Sequence, residues 1–142
     1  MVASLLVPGD GKRSPAQAMN PNDVPQLVGL LCGGDENAYH TLMEADDDIV
    51  PLLMEHYATV LDGENRARII EVIWQHRLPT TIPFLATALN DEHPDVWKQA
   101  LDGLVTIAGH ESRRVLKECL ARIVSNDERF IWIAEAIDQI KL

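Results

Sequence analysis

A short pattern, an aliphatic residue followed by proline and ending in leucine, occurs three times in the 142-residue chain. The copies are Val24-Pro25-Gln26-Leu27, Val50-Pro51-Leu52-Leu53 and Ile82-Pro83-Phe84-Leu85. Proline suits the first turn of a helix because the N–H that it lacks has no intrahelical partner there. Repetition at a spacing of about thirty residues is typical of stacked helical units. The pattern therefore predicts a small helical solenoid.

The composition also favours helices packed on helices. Apolar residues make up 46% of the chain but aromatic residues only 5%, so Leu, Ile, Val and Ala must supply most of the packing. These residues, apart from the β-branched ones, have good helix propensity. A chain of this length suits one domain with one continuous core. We therefore expect a single all-α domain.

Turn signals divide the chain into an N-terminal arm and a repeat domain. Residues 1–22 contain proline and glycine without a helical period, which predicts an extended arm or loop. Residues 23–142 alternate apolar helical stretches with Gly, Pro and Asx turns. The predicted helices are 23–31, 35–44, 49–60, 64–76, 82–89, 95–108, 112–124 and 127–142. Eight helices make four pairs.

One repeat unit, residues 80–109, carries recognisable family marks. It has the leading Ile-Pro-x-Leu, the turn Asn90-Asp91, a second helix with Val96, Ala100 and Leu101, and a closing glycine. This unit resembles a HEAT-type repeat, particularly the short bacterial variety found in phycobilisome lyases. The resemblance covers residues 23–142 and implies a small right-handed α-solenoid of about four HEAT-like helix pairs. It departs from the family pattern at Trp97, a position that is commonly Arg.

The net charge of −10 is concentrated in the first half of the chain. No Lys or Arg lies between Arg13 and Arg66, and this interval contains ten acidic residues. A field of one sign repels nucleic acid and acidic membrane surfaces, and it accelerates encounter with a basic partner. The charge therefore predicts a basic protein partner and argues against nucleic acid and membranes.

Acidic residues recur where one helix of a pair gives way to the next. Each acid in such a turn can cap the following helix, or it can contact a partner. The triplet 46–48 carries more charge than one cap requires, because adjacent carboxylates repel one another. We predict that the following carboxylates contact the partner: Asp35, Glu36, Asp46, Asp47, Asp48, Asp62 and Glu64.

Tryptophan is a frequent anchor at protein interfaces. Trp74, Trp97 and Trp132 each lie in the second helix of a predicted pair, and second helices line the concave face in HEAT-like stacks. We predict Trp74 and Trp97 as candidate anchors. The alternatives are that all three belong to the core, or that Trp132 belongs to a dimer interface.

The sequence offers no motif for catalysis, a metal or a cofactor. The five histidines form no HxxxH or HExxH pattern, and no serine lies in a nucleophile motif. Cys32 and Cys119 lie far apart and suggest no disulfide framework. No apolar run approaches the ~18 residues that a membrane span requires. We therefore expect a cytoplasmic protein that is not an enzyme.

Three functions remain open from the sequence. The first is a non-catalytic protein-binding module, most specifically an immunity or antitoxin protein that neutralises a basic bacterial toxin, by analogy of size and charge. The second, implied by the resemblance, is an enzyme or subunit related to the phycobilin lyases, with a groove lined by Tyr57, Trp74 and Trp97. The third is a structural adaptor or a homodimeric scaffold.

Overall fold

The computed structural model describes residues 20–142, which form eight α-helices and no β-strand. The helices are α1 (Val24–Cys32), α2 (Glu36–Glu44), α3 (Val50–Thr59), α4 (Gly63–Gln75), α5 (Ile82–Ala88), α6 (Pro94–Ile107), α7 (Gly109–Arg122) and α8 (Glu128–Gln139). The four predicted pairs are confirmed, with helix ends within about three residues of the predicted ones. The predicted arm lies outside the described residues except for 20–22.

The repeated proline pattern marks the start of α1, α3 and α5. A short 3-10 helix precedes each of them, at Pro21–Asp23, Asp47–Ile49 and Pro79–Thr81, and the proline then falls in the first turn of the α-helix. The fourth pair begins differently. Ala108 has a φ of 61° and connects α6 directly to α7 without a proline.

The helices form two layers. Helices α1 and α3 pack together in the first layer, as do α5 and α7. In the second layer α2 contacts α4, α4 contacts α6, and α6 contacts α8. Each first helix also packs on the second helix of its own pair. This arrangement is a small α-solenoid, as the repeats predicted.

Helix α4 lies between two clusters of buried side chains. Ile69, Val72 and Ile73 pack with α1, α2 and α3, whereas Ala67 and Ile70 pack with the helices that follow. Apolar burial is the main favourable term in folding. Because α4 contributes to both clusters, it connects the first two pairs to the last two.

Helices α4 and α6 approach each other closely because glycine lies at the contacts. A methyl group at Gly103 would lie 2.6 Å from the Cβ of Trp74. A methyl group at Gly63 would lie 2.1 Å from the ring of His93. Both glycines are buried, so the narrow spacing of α4 and α6 depends on residues without a side chain.

Candidate partner-binding face

The acidic residues that precede second helices act as N-caps. Asp35, Asp62 and Asp127 each accept a hydrogen bond from a backbone N–H of the following helix, at 2.9, 3.1 and 2.9 Å. Such a cap satisfies one of the donors that a helix leaves free at its start. The Arg129 guanidinium also binds Asp127 and lowers the pKa of that carboxyl to about 2. Capping therefore explains part of the acid pattern.

Asp91 connects two repeats instead of capping α6. It accepts hydrogen bonds from Nε and Nη2 of Arg66 at 3.0 and 2.9 Å, and from the Tyr57 hydroxyl at 2.8 Å. Burial opposes ionisation of Asp91, but these donors and the His93 N–H hold its pKa below the usual range. Burial, with the Asp91 carboxylate beside it, raises the pKa of Tyr57 to about 12. Asp91 is a structural residue.

The acidic triplet lies at the other end of α2 from Asp35. Asp47 Oδ1 lies 2.8 Å from Nδ1 of His76, whose side chain is 2% exposed. The other ring nitrogen of His76 lies 3.0 Å from the carbonyl oxygen of Leu42. Asp47 therefore holds the end of α4 against the end of α2. Part of the triplet's charge is thus used within the fold, and only the remainder is a candidate for a partner.

The structure thus divides the predicted contact residues between two edges. Asp35, Glu36, Asp62 and Glu64 lie at the starts of α2 and α4, whereas the triplet follows the end of α2. Glu36 lines a groove of about 160 Å³ between α2 and α4. Glu64 lines the neighbouring groove, of about 380 Å³, between α4 and α6.

These two grooves define a continuous surface, which we call the second-helix face. Its residues are Glu36, Tyr39, Glu64, Arg68, Glu71, Asp95, Lys98 and Gln99. Carboxylates outnumber cations on it, and Arg68 is bound to Asn65 at 2.8 Å. Glu71 accepts a hydrogen bond from the Tyr39 hydroxyl at 3.1 Å, which joins α2 to α4.

Carboxylates of neighbouring helices influence one another on this side of the molecule. Partial burial raises the pKa of Asp102 on α6, and the negative charge of Glu71 on α4 raises it further. Like charges placed close together disfavour ionisation. The charges of Glu71 and Asp102 therefore repel each other across α4 and α6.

A spacing of seven residues repeats between acids of three second helices. The pairs are Glu64 and Glu71 on α4, Asp95 and Asp102 on α6, and Glu128 and Glu135 on α8. Residues seven apart lie on the same side of a helix, two turns from each other. Glu64, Glu71 and Asp95 belong to the second-helix face, so this spacing is a sequence signal for that face which the turn positions alone do not give.

The tryptophans differ in exposure. Trp97 is 3% exposed, so it belongs to the core and is not the surface anchor that we expected. Trp74 is half-buried, and its indole N–H donates to the side-chain oxygen of Gln99 at 2.8 Å. Trp132 is 44% exposed and contacts Trp97 edge to face, with ring centres 5.9 Å apart.

The residues suggested for a tetrapyrrole groove do not converge. Tyr57 binds Asp91 and packs against Phe84 of α5, with ring centres 5.3 Å apart. Trp97 packs against Trp132 at the other end of the stack. Within residues 20–142 no group of His, Cys, Asp or Glu has the arrangement of a metal site. No helix in this part of the chain has the length and apolarity needed to span a membrane.

Comparison with known proteins identifies the repeats. A family model described as HEAT repeats matches residues 50–137, which is more than half of the chain. Searches of curated proteins and of solved structures gave no significant match. The matched region begins at α3 and ends in α8, and so contains three of the four helix pairs. The chain therefore belongs to the HEAT-repeat family.

Proposed function

We propose that this protein is a non-catalytic module that binds a basic protein on its second-helix face. Repeat proteins of this kind present extended surfaces built from several units, and they use these surfaces for binding. The observation that carries the proposal is the set of unpaired carboxylates at the starts of α2 and α4. Glu36 and Glu64 line adjacent grooves and make no side-chain hydrogen bond or ion pair within residues 20–142.

The distribution of cations supports this proposal. Arg66, Arg114 and Arg129 are each engaged by carboxylates of the same chain. Glu36, Glu64 and Asp48 are left without such partners in the part of the chain that the structure describes. Arg68 and Lys98 also line the second-helix face, but carboxylates outnumber them there. A surface with net charge of one sign steers an oppositely charged protein and selects against wrong partners.

We further propose an immunity or antitoxin role, in which the bound protein is a basic bacterial toxin. The support is the small size of the chain and its net charge of −10. A toxin that acts on nucleic acid must itself be basic at its substrate-binding surface. A carboxylate-rich surface of this protein could cover such a surface and block access to the substrate.

The experiment uses the full chain as bait in a lysate of its native host, with elution by a salt gradient. We expect one basic protein that leaves the column as ionic strength rises, because salt screens exposed charges. The affinity of the captured protein is then measured for the double variant Glu36→Lys, Glu64→Lys. These two substitutions together should weaken binding at least about tenfold. Affinity that does not change with salt would contradict the charge-based proposal.

Two further variants locate the contact. Glu55→Lys is the matched control, because Glu55 is an exposed acid of α3 in the first-helix layer. It makes the same change in net charge as Glu36→Lys or Glu64→Lys alone, but away from the second-helix face. Asp48→Lys tests the triplet edge. Equal losses in Glu55→Lys and in the α2 and α4 variants would indicate a non-specific charge effect and refute the proposed face.

A further inference from the structure

One side of α8 exposes two large apolar residues among acids. Ile131 is 67% exposed and Trp132 is 44% exposed. Glu128 and Glu135, three or four residues from each, are exposed as well. Residues separated by three, four and seven positions share one helix face, so these four side chains form a continuous stripe. We call them, together with Asp138, the α8 stripe.

Apart from the contacts of Trp132 with Trp97 and Lys98, no element within residues 20–142 covers the α8 stripe. Helix α8 packs on α6 and α7 through buried residues such as Ile133, Ala136 and Ile137 on its other side. The carboxylates of Glu128, Glu135 and Asp138 make no hydrogen bond or ion pair within residues 20–142. An exposed apolar patch with a polar rim is the usual appearance of a protein-binding surface.

Comparison with α6 indicates that the apolar residues are not required by the repeat. A 33-residue offset places buried Ala100 and Leu104 of α6 on buried Ile133 and Ile137 of α8. In the same register, Ile131 and Trp132 occupy the positions of Lys98 and Gln99. The α6 repeat folds with polar residues there. Packing within the solenoid therefore does not explain Ile131, and it engages Trp132 only on the side that contacts Trp97.

Trp132 is held in place from beneath. Its ring packs edge to face on the buried Trp97, and the Lys98 ammonium lies 4.6 Å from the centre of the Trp132 ring. Both contacts restrict the side chain before any partner binds. A restricted aromatic side chain loses little conformational entropy on binding, which suits an anchor.

The charges on the α8 stripe decide which occupant fits. A second copy of the chain would bring Glu128, Glu135 and Asp138 of both copies close together, and like charges across an interface cost affinity. A helix with apolar residues on one face and Lys or Arg at its borders would cover Ile131 and Trp132. It would also place cations against the three carboxylates. Helices that dock in this way contact their partner through residues three, four and seven positions apart.

We propose that the α8 stripe binds a basic amphipathic helical segment of a partner protein. Apolar residues of that segment contact Ile131 and Trp132, and its basic residues pair with Glu128, Glu135 and Asp138. The stripe is about 15 Å long at the rise of an α-helix, which corresponds to about three turns of the bound segment. This site lies on α8, outside the two grooves but next to Lys98 of the second-helix face, and so adds a second, adjoining contact to the proposed function.

The test uses a synthetic amphipathic helix of about 18 residues, since shorter isolated helices are marginal in water. Leu recurs on one face of this probe and Lys borders it. Titration into the full-length protein at physiological salt should shift the tryptophan emission to shorter wavelength, because Trp132 loses contact with water. Ile131→Ser and Glu135→Lys should each weaken binding at least about tenfold.

Three controls make the result decisive. A peptide of the same composition with Leu scattered around the helix should bind at least about tenfold more weakly. Glu55→Lys should change the affinity less than about twofold, since Glu55 lies on α3. Far-UV circular dichroism of each variant confirms that it folds. Equal binding of both peptides, or full affinity of Ile131→Ser, would overturn the proposal.

Two outcomes separate this proposal from neighbouring ones. Light scattering that shows a dimer of the wild type and a monomer of Ile131→Ser would assign the α8 stripe to self-association and overturn the basic-helix proposal. Loss of the captured host partner in the Glu36 and Glu64 variants, with peptide binding retained, would support both sites as distinct. If those variants still capture the host partner, the second-helix face is refuted. The peptide titration then tests the α8 stripe by itself.

Discussion

The Arg66–Asp91 ion pair gives the sharpest prediction of stability. The side chains of Arg66 and Asp91 are only 17% and 11% exposed, and two hydrogen bonds of 2.9 and 3.0 Å join them. Asp91→Ala removes both bonds and also the acceptor of Tyr57, and it leaves the guanidinium partly buried without an anion. Breaking a fully buried pair costs about 3–5 kcal/mol.

Solvent reaches part of this pair, so the lower end of that range applies. We expect Asp91→Ala to reduce the free energy of unfolding by about 3 kcal/mol. Equilibrium urea denaturation, followed by circular dichroism, measures this change. Glu92→Ala is the matched control, because Glu92 is an exposed neighbour without a hydrogen-bond partner within residues 20–142, and it should change stability by less than about 0.5 kcal/mol.

The coupling between the partners tests the cause of the loss. In a double-mutant cycle, Arg66→Met should cost much less in the Asp91→Ala background than in the wild type, because the pair is already broken. A loss below about 1 kcal/mol for Asp91→Ala, or additive effects of the two substitutions, would refute a connecting role for this ion pair.

Three further predictions concern single residues. Gly103→Ala should destabilise the protein by about 1–2 kcal/mol in thermal or urea unfolding, since the strain against Trp74 exceeds the gain in helix propensity; unchanged stability would contradict the close packing of α4 and α6. Asp102→Asn should stabilise the protein at neutral pH, because burial and Glu71 raise the pKa of Asp102 and its charged form is disfavoured in the folded state. That difference should disappear as the pH falls below about 4, where the carboxyl is protonated in both states. Asp127→Asn should destabilise the protein at neutral pH, and the difference should shrink between about pH 4 and pH 2, because the folded-state pKa is about 2.

Local signals in the sequence were sufficient to predict the helices. Proline in the first turn of α1, α3 and α5, and Asp35 or Asp62 before a second helix, each act within a few residues of the chain. Such signals do not depend on tertiary contacts. The four pairs and the solenoid follow from them. The structure shows all four pairs, and the HEAT-repeat family match covers the last three.

The role of each acid depended on contacts that sequence alone does not reveal. Asp91 meets Arg66, 25 residues away, and Asp47 meets His76, 29 residues away. In the sequence, both carboxylates lie in turns, as Glu64 does, although Glu64 makes no side-chain hydrogen bond or ion pair within residues 20–142. The position in a turn therefore did not distinguish them from Glu64. Only the folded arrangement of α2, α4 and α6 distinguishes an internally paired carboxylate from one that is available to a partner.

The tryptophans show the same limit. Trp97 and Trp132 both lie near the start of a second helix, and each has apolar neighbours in the sequence. Trp97 is buried between α6 and the neighbouring repeat. Trp132 contacts the ring of Trp97, but its own side chain stays partly exposed. Helical periodicity gives the face of one helix but not which neighbour covers that face.

The central claim is that unpaired carboxylates of the second-helix layer meet cations of a partner protein. Zero-length carbodiimide cross-linking of the complex, read by mass spectrometry, tests this claim most directly, because it joins a carboxylate to a lysine only where the two are in contact. We predict cross-links from partner lysines to Glu36 and Glu64, and none to Glu55. Cross-links confined to Glu55 and other acids of the first-helix layer would contradict the account.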